Sequence, residues 1–132
     1  MTRLMLDTSA YSALLRGHPA VCEAVRAARE LLVNPVVLGE PRAGFRGGRH
    51  ERRNEELLGR FLTSSRVGIL PIDEESSQPY AAICRSLLAA GTPIPTNDLW
   101  IAATAMQHGL TVLTLDDHFA KVPQILVNVV TP

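Results

Sequence analysis

The amino-acid sequence predicts an α/β fold in which a parallel sheet of about five strands is covered by helices on both faces. Short apolar runs, which suit buried strands, alternate with longer segments whose apolar residues recur at helical spacing. This alternation is typical of parallel sheets, because successive parallel strands need a crossover that a helix usually provides. At 132 residues, the chain is expected to form one domain, residues 1–132, with room for a sizeable core.

The alternation predicts five strands and six helices. In chain order they are strand 3–6, helix 8–15, helix 20–33, strand 36–38, helix 39–47, helix 51–63, strand 66–70, helix 74–90, helix 97–107, strand 111–115 and strand 126–130.

Turn and capping signals set the bounds of the first elements. Asp7 or Thr8 can cap the first helix, which ends near Gly17. The second helix has apolar positions at helical spacing, namely Val21, Val25, Ala28 and Leu32. Asn34 and Pro35 are expected to end it, and the apolar run after them predicts the second strand.

Similar signals bound the later elements. The inward face of the helix at 51–63 is predicted to carry Leu57, Leu58, Phe61 and Leu62. Acidic residues at 73–75 open the next helix, where the positive end of its dipole favours negative charge. A turn-rich link at 91–95 leads into the long apolar helix at 97–107, which Gly109 closes.

Composition and cysteine use exclude several classes of protein. An apolar fraction of 46% argues against a disordered chain. No run approaches the roughly 18 apolar residues that a membrane span needs, and the first residues lack the layout of a signal peptide. We therefore expect a cytoplasmic protein without a membrane partner. Cys22 and Cys84 are interpreted as reduced core residues rather than metal ligands or a disulfide.

Four acidic residues lie where strands end or helices begin: Asp7, Glu40, Asp98 and Asp116. The carboxyl ends of parallel strands meet at one edge of a sheet, which is where such folds bind ligands. Four carboxylates meeting there would repel one another unless a cation lay between them. Hard oxygen ligands suit Mg²⁺ or Mn²⁺. The pattern therefore predicts a metal-dependent enzyme that acts on phosphates.

Each acid also has a purely structural explanation. Asp7 can cap a helix, and Glu40 can be an exposed helical residue. Either Asn97 or Asp98 can cap the helix that begins near Leu99, which leaves the other side chain free. The pair Asp116-Asp117 can form an Asx turn. It is less plausible that all four structural explanations hold at once than that the acids share a metal site.

Basic residues are concentrated in one segment. The net charge is zero, which does not by itself indicate a nucleic-acid binder, but twelve of the thirteen basic residues are Arg. Five of them lie close together: Arg42, Arg46, Arg49, Arg52 and Arg53. The planar guanidinium can bind two phosphate oxygens at once, so this segment is a candidate phosphate contact. The alternative is a solvated surface partly neutralised by Glu51, Glu55 and Glu56.

These motifs are similar to those of PIN domains, specifically the VapC toxin ribonucleases of toxin–antitoxin pairs. The similarity spans nearly the whole chain. It lies in Leu6-Asp7-Thr8-Ser9, in Val37-Leu38-Gly39-Glu40, in the run from Gly91 to Ala103 and in the run from Thr114 to Phe119. The Asn97-Asp98 run is the most specific. The resemblance implies a PIN-like three-layer α/β/α fold with an acidic pocket at the carboxyl end of the sheet.

The resemblance also implies an activity, a metal and partners. The activity is hydrolysis of RNA phosphodiester bonds with Mg²⁺ or Mn²⁺. The catalytic, metal-binding acids would be Asp7, Glu40, Asp98 and Asp116, with Asp117 as the alternative fourth acid. Side chains that could orient them are Thr8, Asn97 and Thr114, and the Arg segment would contact RNA phosphates. The implied partners are a cognate VapB-type antitoxin and a second copy of the chain. The alternative is a catalytically silent PIN scaffold that binds RNA or a protein.

Pro41 and His118 lie close to the candidate acids in the sequence, and each has its own expected position. Pro41 departs from the family pattern, and Pro is tolerated only in the first turn of a helix. Glu40 is therefore placed at or just before a helix start; a helix beginning earlier would be bent at Pro41, which would shift Glu40 and weaken metal binding. His118 is assigned to a loop beside Phe119, which packs, and no histidine is expected to take part in the chemistry.

Other phosphate-related folds fit less well. Receiver domains carry paired early acids and a late Lys, whereas here Asp7 stands alone and Lys121 follows the wrong kind of loop. Haloacid-dehalogenase-like phosphatases need Asp-x-Asp after the first strand, and this chain has Asp7-Thr8-Ser9. The glycines between 44 and 48 do not follow a strand at the spacing of a nucleotide-binding loop.

Overall fold

The computed structural model describes residues 2–132, which form a three-layer α/β/α fold. The strands are β1 (Arg3–Leu6), β2 (Glu30–Val33), β3 (Val67–Ile69), β4 (Thr111–Thr114) and β5 (Leu126–Val129). The helices are α1 (Thr8–Leu15), α2 (Pro19–Ala27), α3 (Pro35–Phe45), α4 (Glu51–Leu62), α5 (Ser77–Ala90) and α6 (Thr96–His108). Two short 3₁₀ turns cover Glu74–Ser76 and Asp117–Lys121. The predicted fold class is confirmed.

The five strands are all parallel, in the order β3-β2-β1-β4-β5. The chain builds outward from β1 to β3 on one side, then returns to place β4 against the other side of β1. Met5 of β1 therefore lies opposite Leu32 of β2 and Val112 of β4. The boundary between β1 and β4 is the point where the strand order reverses, and open α/β sheets bind ligands beyond the carboxyl ends of such strands.

The middle of the sheet carries the core. Met5, Leu6 and Leu113 have no solvent exposure, as expected for parallel strands covered on both faces. Cys22 and Cys84 are unpaired thiols of intermediate burial. Across residues 2–132, no helix combines the length and the apolar character that crossing a membrane requires.

The predicted second strand is wrong. Residues 36–38 belong to α3, and residues 30–33, which were assigned to a helix, form β2. Short apolar runs cannot be divided between strand and buried helix by periodicity alone. The boundary is set by Asn34, whose side chain accepts the backbone N–H of Val37 at 3.1 Å, and by Pro35 in the first turn of the helix.

The early start of α3 also overturns the expected position of Glu40. Pro41 lies in the interior of this helix, and Glu40 precedes it within the helix rather than at its start. Because proline has no N–H, the carbonyl of Val37 loses its usual helical donor. The helix nevertheless continues to Phe45.

A buried polar contact connects the start of α3 to the middle of α6. Asn34 is fully buried, and its Nδ2 donates to Thr104 Oγ1 at 2.9 Å and to the Trp100 carbonyl at 3.4 Å. Thr104 is also fully buried and donates to the same carbonyl at 2.9 Å. These bonds satisfy groups that would be costly to bury unpaired. They set the position of the helix that carries Glu40 relative to the helix that carries Asp98.

Replacing Asn34 by alanine is expected to lower the free energy of unfolding by about 2–3 kcal/mol, because it removes a helix cap and buried hydrogen bonds. Urea denaturation measures the change. Asn128→Ala, at an exposed position of the edge strand β5, is the matched control and should change stability by less than about 0.5 kcal/mol. Equal losses in the two variants would contradict the role of Asn34.

Candidate metal centre

A cavity of about 360 Å³ opens at the carboxyl edge of the sheet, beyond β1 and β4. All four acids singled out in the sequence line it. Its lining consists of Asp7, Thr8, Ser9, Ser12, Glu40, Pro95, Asn97, Asp98, Ile101, Asp116 and His118. None of these described residues is Arg or Lys, so no strongly basic side chain offsets the carboxylates within the cavity.

Asp7 follows β1 and caps α1. Its Oδ1 accepts the backbone N–H of Ala10 at 2.8 Å and the hydroxyl of Ser9 at 2.7 Å. Its Oδ2 accepts the hydroxyl of Thr114 at 2.6 Å. Asp7 as a whole is 4% exposed. Capping is therefore compatible with a place in the cavity, because a carboxylate can accept more bonds than the cap uses.

Two hydroxyls join the start of α1 to the end of β4. Thr114 Oγ1 donates to Asp7 and accepts the backbone N–H of Asp116 at 2.9 Å. Ser9 Oγ donates to Asp7 and accepts the backbone N–H of Leu115 at 3.0 Å. The sequence predicts Thr114 as a residue that could orient an acid, and it predicts no role for Ser9. A hydroxyl two residues after a strand-end Asp was the only available signal for it.

Neither Asn97 nor Asp98 caps a helix, contrary to the structural alternative raised for them. The helix α6 begins at Thr96, its cap position is Pro95, and no side chain caps it. Both side chains are therefore available in the first turn for contacts with other elements. Asp98 is buried there, at the end of the helix that favours negative charge.

Glu40 is held in the cavity by two other elements. Its Oε1 accepts the hydroxyl of Thr8 in α1 at 2.9 Å, and its Oε2 accepts the amide of Asn97 in α6 at 3.1 Å. Both donors are neutral groups, a hydroxyl and a side-chain amide. The interior Pro41 therefore does not remove Glu40 from the site.

His118 enters the acid cavity, which the sequence did not indicate. Its ring Nδ1 lies 2.8 Å from Asp98 Oδ2 and 3.1 Å from Asp116 Oδ1. One potential ligand atom from each of these three residues lies within 4.8 Å of the others. Asp7 and Glu40 line the same cavity outside this close group.

The turn after β4 explains how His118 and Asp116 come together. Asp116 Oδ1 accepts the backbone N–H of His118 at 2.9 Å, which is the Asx turn considered above. Phe119 has no solvent exposure and anchors the turn in the core, as predicted. Asp117 is exposed and does not line the cavity.

Burial leaves the negative charges of this cavity poorly compensated. It raises the pKa of the Asp7 carboxyl, against the opposing effect of the hydrogen bonds from Thr114, Ala10 and Ser9, and the charge of Asp116 adds to the rise. Burial likewise raises the pKa of Asp98, which the hydrogen bond from His118 opposes.

The donor set fits a divalent cation. Carboxylate oxygens converge from the ends of two strands and from two helices, and such hard ligands suit Mg²⁺ and Mn²⁺. A bound cation would also stabilise the charged forms of Asp7 and Asp98, which burial disfavours. The residues present can therefore hold the metal that the sequence motifs imply.

The Arg segment lies around a different cleft. Arg42 Nε pairs with Glu55 at 3.1 Å, and these two residues, with Arg46 and Glu51, line a space of about 480 Å³. The remaining arginines of the segment are exposed, namely Arg49, Arg52 and Arg53. None of the five arginines lines the acid cavity.

Comparisons with known proteins identify a family and several similar proteins. The sequence matches the PIN domain family over residues 4–125. Ribonuclease VapC4 of Mycobacterium tuberculosis is 37% identical over 93 residues, which cover 70% of this chain and 72% of that protein.

Two solved structures extend the comparison. VapBC2 from Rickettsia felis, bound to a DNA fragment from its promoter, superposes with a TM-score of 0.83 at 23% identity, covering 96% of this chain and 98% of that one. At this identity the likeness concerns the fold. VapBC-5 from Mycobacterium tuberculosis, a member of the VapBC family of toxin–antitoxin systems, has a TM-score of 0.72 at 25% identity, covering 98% and 100%.

Thr114→Val is expected to weaken binding of a divalent cation by about 10- to 100-fold, because Asp7 and the backbone of Asp116 lose the hydroxyl that positions them. Titration calorimetry with Mn²⁺ measures the affinity. Thr111→Val, the same substitution at the other end of β4, is the control and should bind like the wild type. Wild-type affinity in Thr114→Val would show that this hydroxyl does not position the acids.

In chelator, Asp98→Asn is expected to be more stable than the wild type at pH 7. A carboxyl whose folded pKa is raised contributes stability that is complete below its unfolded pKa and is lost as the pH rises through the folded value. The advantage of the variant should therefore shrink as the pH falls from 7 towards 4. Urea denaturation across this range tests the sign, with the exposed Asp117→Asn as control. An advantage that grows at low pH would contradict the expectation.

Proposed function

Because the chain belongs to the PIN-domain family, with VapC ribonucleases among its relatives, we propose that it is a metal-dependent endoribonuclease, the toxin of a toxin–antitoxin pair. The observation that carries the proposal is the convergence of four carboxylates on one cavity at the carboxyl edge of the sheet. The reaction is hydrolysis of phosphodiester bonds in RNA, and residues 1–132 act as one domain.

The proposed metal is Mg²⁺ or Mn²⁺. Asp7, Asp98 and Asp116 would hold it, with Glu40 as the fourth acid; all four line the cavity. When bound, such an ion activates water as a nucleophile and stabilises charge on the phosphate and the leaving oxygen. The protein's contribution is to hold the four carboxylates in place before substrate arrives.

The surrounding side chains have positioning roles in this proposal. Thr114 and Ser9 hold Asp7 through hydrogen bonds of 2.6 and 2.7 Å, which leaves acceptor capacity on the carboxylate. Thr8 and Asn97 hold the two oxygens of Glu40. With both of its oxygens held in this way, Glu40 is proposed to orient the attacking water.

The Arg segment is proposed to bind the RNA backbone. Phosphates are repelled by the acid cavity itself, so a longer substrate needs basic contacts elsewhere. Arg46, Arg49, Arg52 and Arg53 are exposed and free to make them, whereas Arg42 is partly neutralised by Glu55. Contacts to phosphates position the strand without reading its sequence.

The partners are proposed from the relatives. The VapBC-5 structure belongs to a toxin–antitoxin system, so we infer a cognate VapB-type antitoxin that covers the site. A homodimer and a cytoplasmic location, where RNA is present, complete the proposal. The catalytically silent scaffold is the competing function, and it predicts neither a specific metal site nor cleavage.

The proposed function predicts cleavage of total cellular RNA at discrete sites, read by sequencing new 5′ ends with Mg²⁺ or Mn²⁺ present. Chelator should abolish the cleavage. Asp98→Asn and Asp116→Asn should each reduce it by about 100-fold or more, because each removes a charge that holds the cation.

Asp117→Asn is the matched control, since Asp117 adjoins Asp116 in sequence but lies outside the cavity. It should cleave like the wild type. If Asp117→Asn lost cleavage while Asp116→Asn kept it, Asp117 rather than Asp116 would be the acid that holds the cation. No cleavage by the folded, antitoxin-free chain, together with no metal binding, would favour the scaffold.

A further inference from the structure

We propose that His118 is a nitrogen ligand of the divalent cation in the acid cavity and that this ligand makes the site prefer Mn²⁺ to Mg²⁺. The inference rests on the proposed function and deepens it, because it adds a residue to the metal site and distinguishes between the two candidate ions. The pattern of four acids in the sequence predicts neither a histidine ligand nor a preference between the two ions.

The spacing of the three side chains is the first argument. Nδ1 of His118 lies 2.8 Å from Asp98 Oδ2 and 3.1 Å from Asp116 Oδ1. Neighbouring ligands at right angles around an octahedral ion, each about 2.1 Å from it, lie roughly 3 Å apart. The imidazole nitrogen is therefore spaced from both carboxylates as an adjacent ligand of one ion would be.

The backbone of His118 is held at the edge of the cavity. The N–H of His118 donates to the same Asp116 carboxylate that its ring approaches, at 2.9 Å. The next residue, Phe119, is fully buried and fixes the turn. With its backbone held and its Nδ1 in contact with Asp98, the ring lies at the cavity before a cation arrives, and metal sites favour ligands that are oriented in advance.

The tautomer of the imidazole decides whether Nδ1 can bind a cation. In the hydrogen-bonded arrangement Nδ1–H donates to Asp98 or Asp116. Coordination through Nδ1 requires the proton to reside on Nε2 instead. Nε2 has no hydrogen-bond partner in residues 2–132, and the His118 side chain is 39% exposed. Water can accept a hydrogen bond from the Nε2–H group, so the tautomer that coordination requires leaves no buried polar group without a partner.

The metal preference follows from ligand chemistry. Mg²⁺ takes oxygen ligands and retains several waters, so an imidazole adds little to its binding. Mn²⁺ also suits carboxylate ligands and is the weakest binder of its transition-metal series, but it accepts an imidazole nitrogen more readily than Mg²⁺ does. Of the two ions proposed for this chain, the nitrogen therefore favours Mn²⁺.

Pulsed electron paramagnetic resonance on the full chain loaded with Mn²⁺ tests the ligand directly. Electron spin-echo modulation from a coordinated ¹⁴N nucleus is expected in the wild type and lost in His118→Gln. His50→Gln is the matched control, because His50 is exposed and its side chain makes no capping bond. Calorimetry should show Mn²⁺ affinity reduced about tenfold in His118→Gln, with a smaller change for Mg²⁺.

A second variant at the same position allows the test even if His118→Gln does not fold. His118→Asp supplies an oxygen in place of the nitrogen, and it should bind Mn²⁺ without ¹⁴N modulation and with Mg²⁺ and Mn²⁺ affinities closer together than in the wild type. Circular dichroism confirms that each variant is folded.

The outcomes separate the two proposals. Specific Mn²⁺ binding by the wild type without ¹⁴N modulation would overturn the role of His118 and leave the metal-dependent nuclease intact. Tighter Mn²⁺ binding in His118→Gln would also overturn it, because it would mean that the ring competes with the cation for Asp98 and Asp116. No specific binding of either ion by the folded wild-type chain would overturn the proposed function as well.

Discussion

The hydrogen bond from Thr114 to Asp7 is the contact on which the organisation of the site depends. It joins the ends of the two adjacent strands β1 and β4, at the point where the strand order of the sheet reverses. The same hydroxyl accepts the backbone N–H of Asp116, so one side chain sets the positions of two acids. A strand pairing that buries Met5 and Leu113 in the core thus also determines where the carboxylates lie.

The buried acids of the site lower the stability of the folded chain. Burial raises the pKa of Asp7 and of Asp98, which means that their charged forms are disfavoured in the folded chain. Hydroxyls, an amide and backbone N–H groups donate hydrogen bonds to the acids, His118 contacts Asp98 and Asp116, and no Arg or Lys enters the described cavity lining. Neutral donors orient carboxylates without cancelling their charge, which leaves that charge available to a cation.

Glu40 depends on long-range packing more than the other acids do. It lies in α3, whose start is capped by Asn34 and whose interior contains Pro41. The buried bonds from Asn34 to α6 position the helix, and Thr8 and Asn97 position the carboxylate. The reach of Glu40 into the cavity is therefore set by α1 and α6, which compensates for an irregularity within its own helix.

Local apolar patterns were enough to predict the alternation of strands and helices, the parallel sheet and the position of Asp7 and Asp116 directly after strands. They did not determine whether residues 30–33 or 36–38 form β2, since pairing with β1 and β3 decides between two short apolar runs. Only the tertiary structure brought His118 to Asp98, 20 residues away, and the hydroxyl of Thr114 to Asp7, 107 residues away. Contacts over such separations arise from strand order and helix packing, which no local spacing encodes.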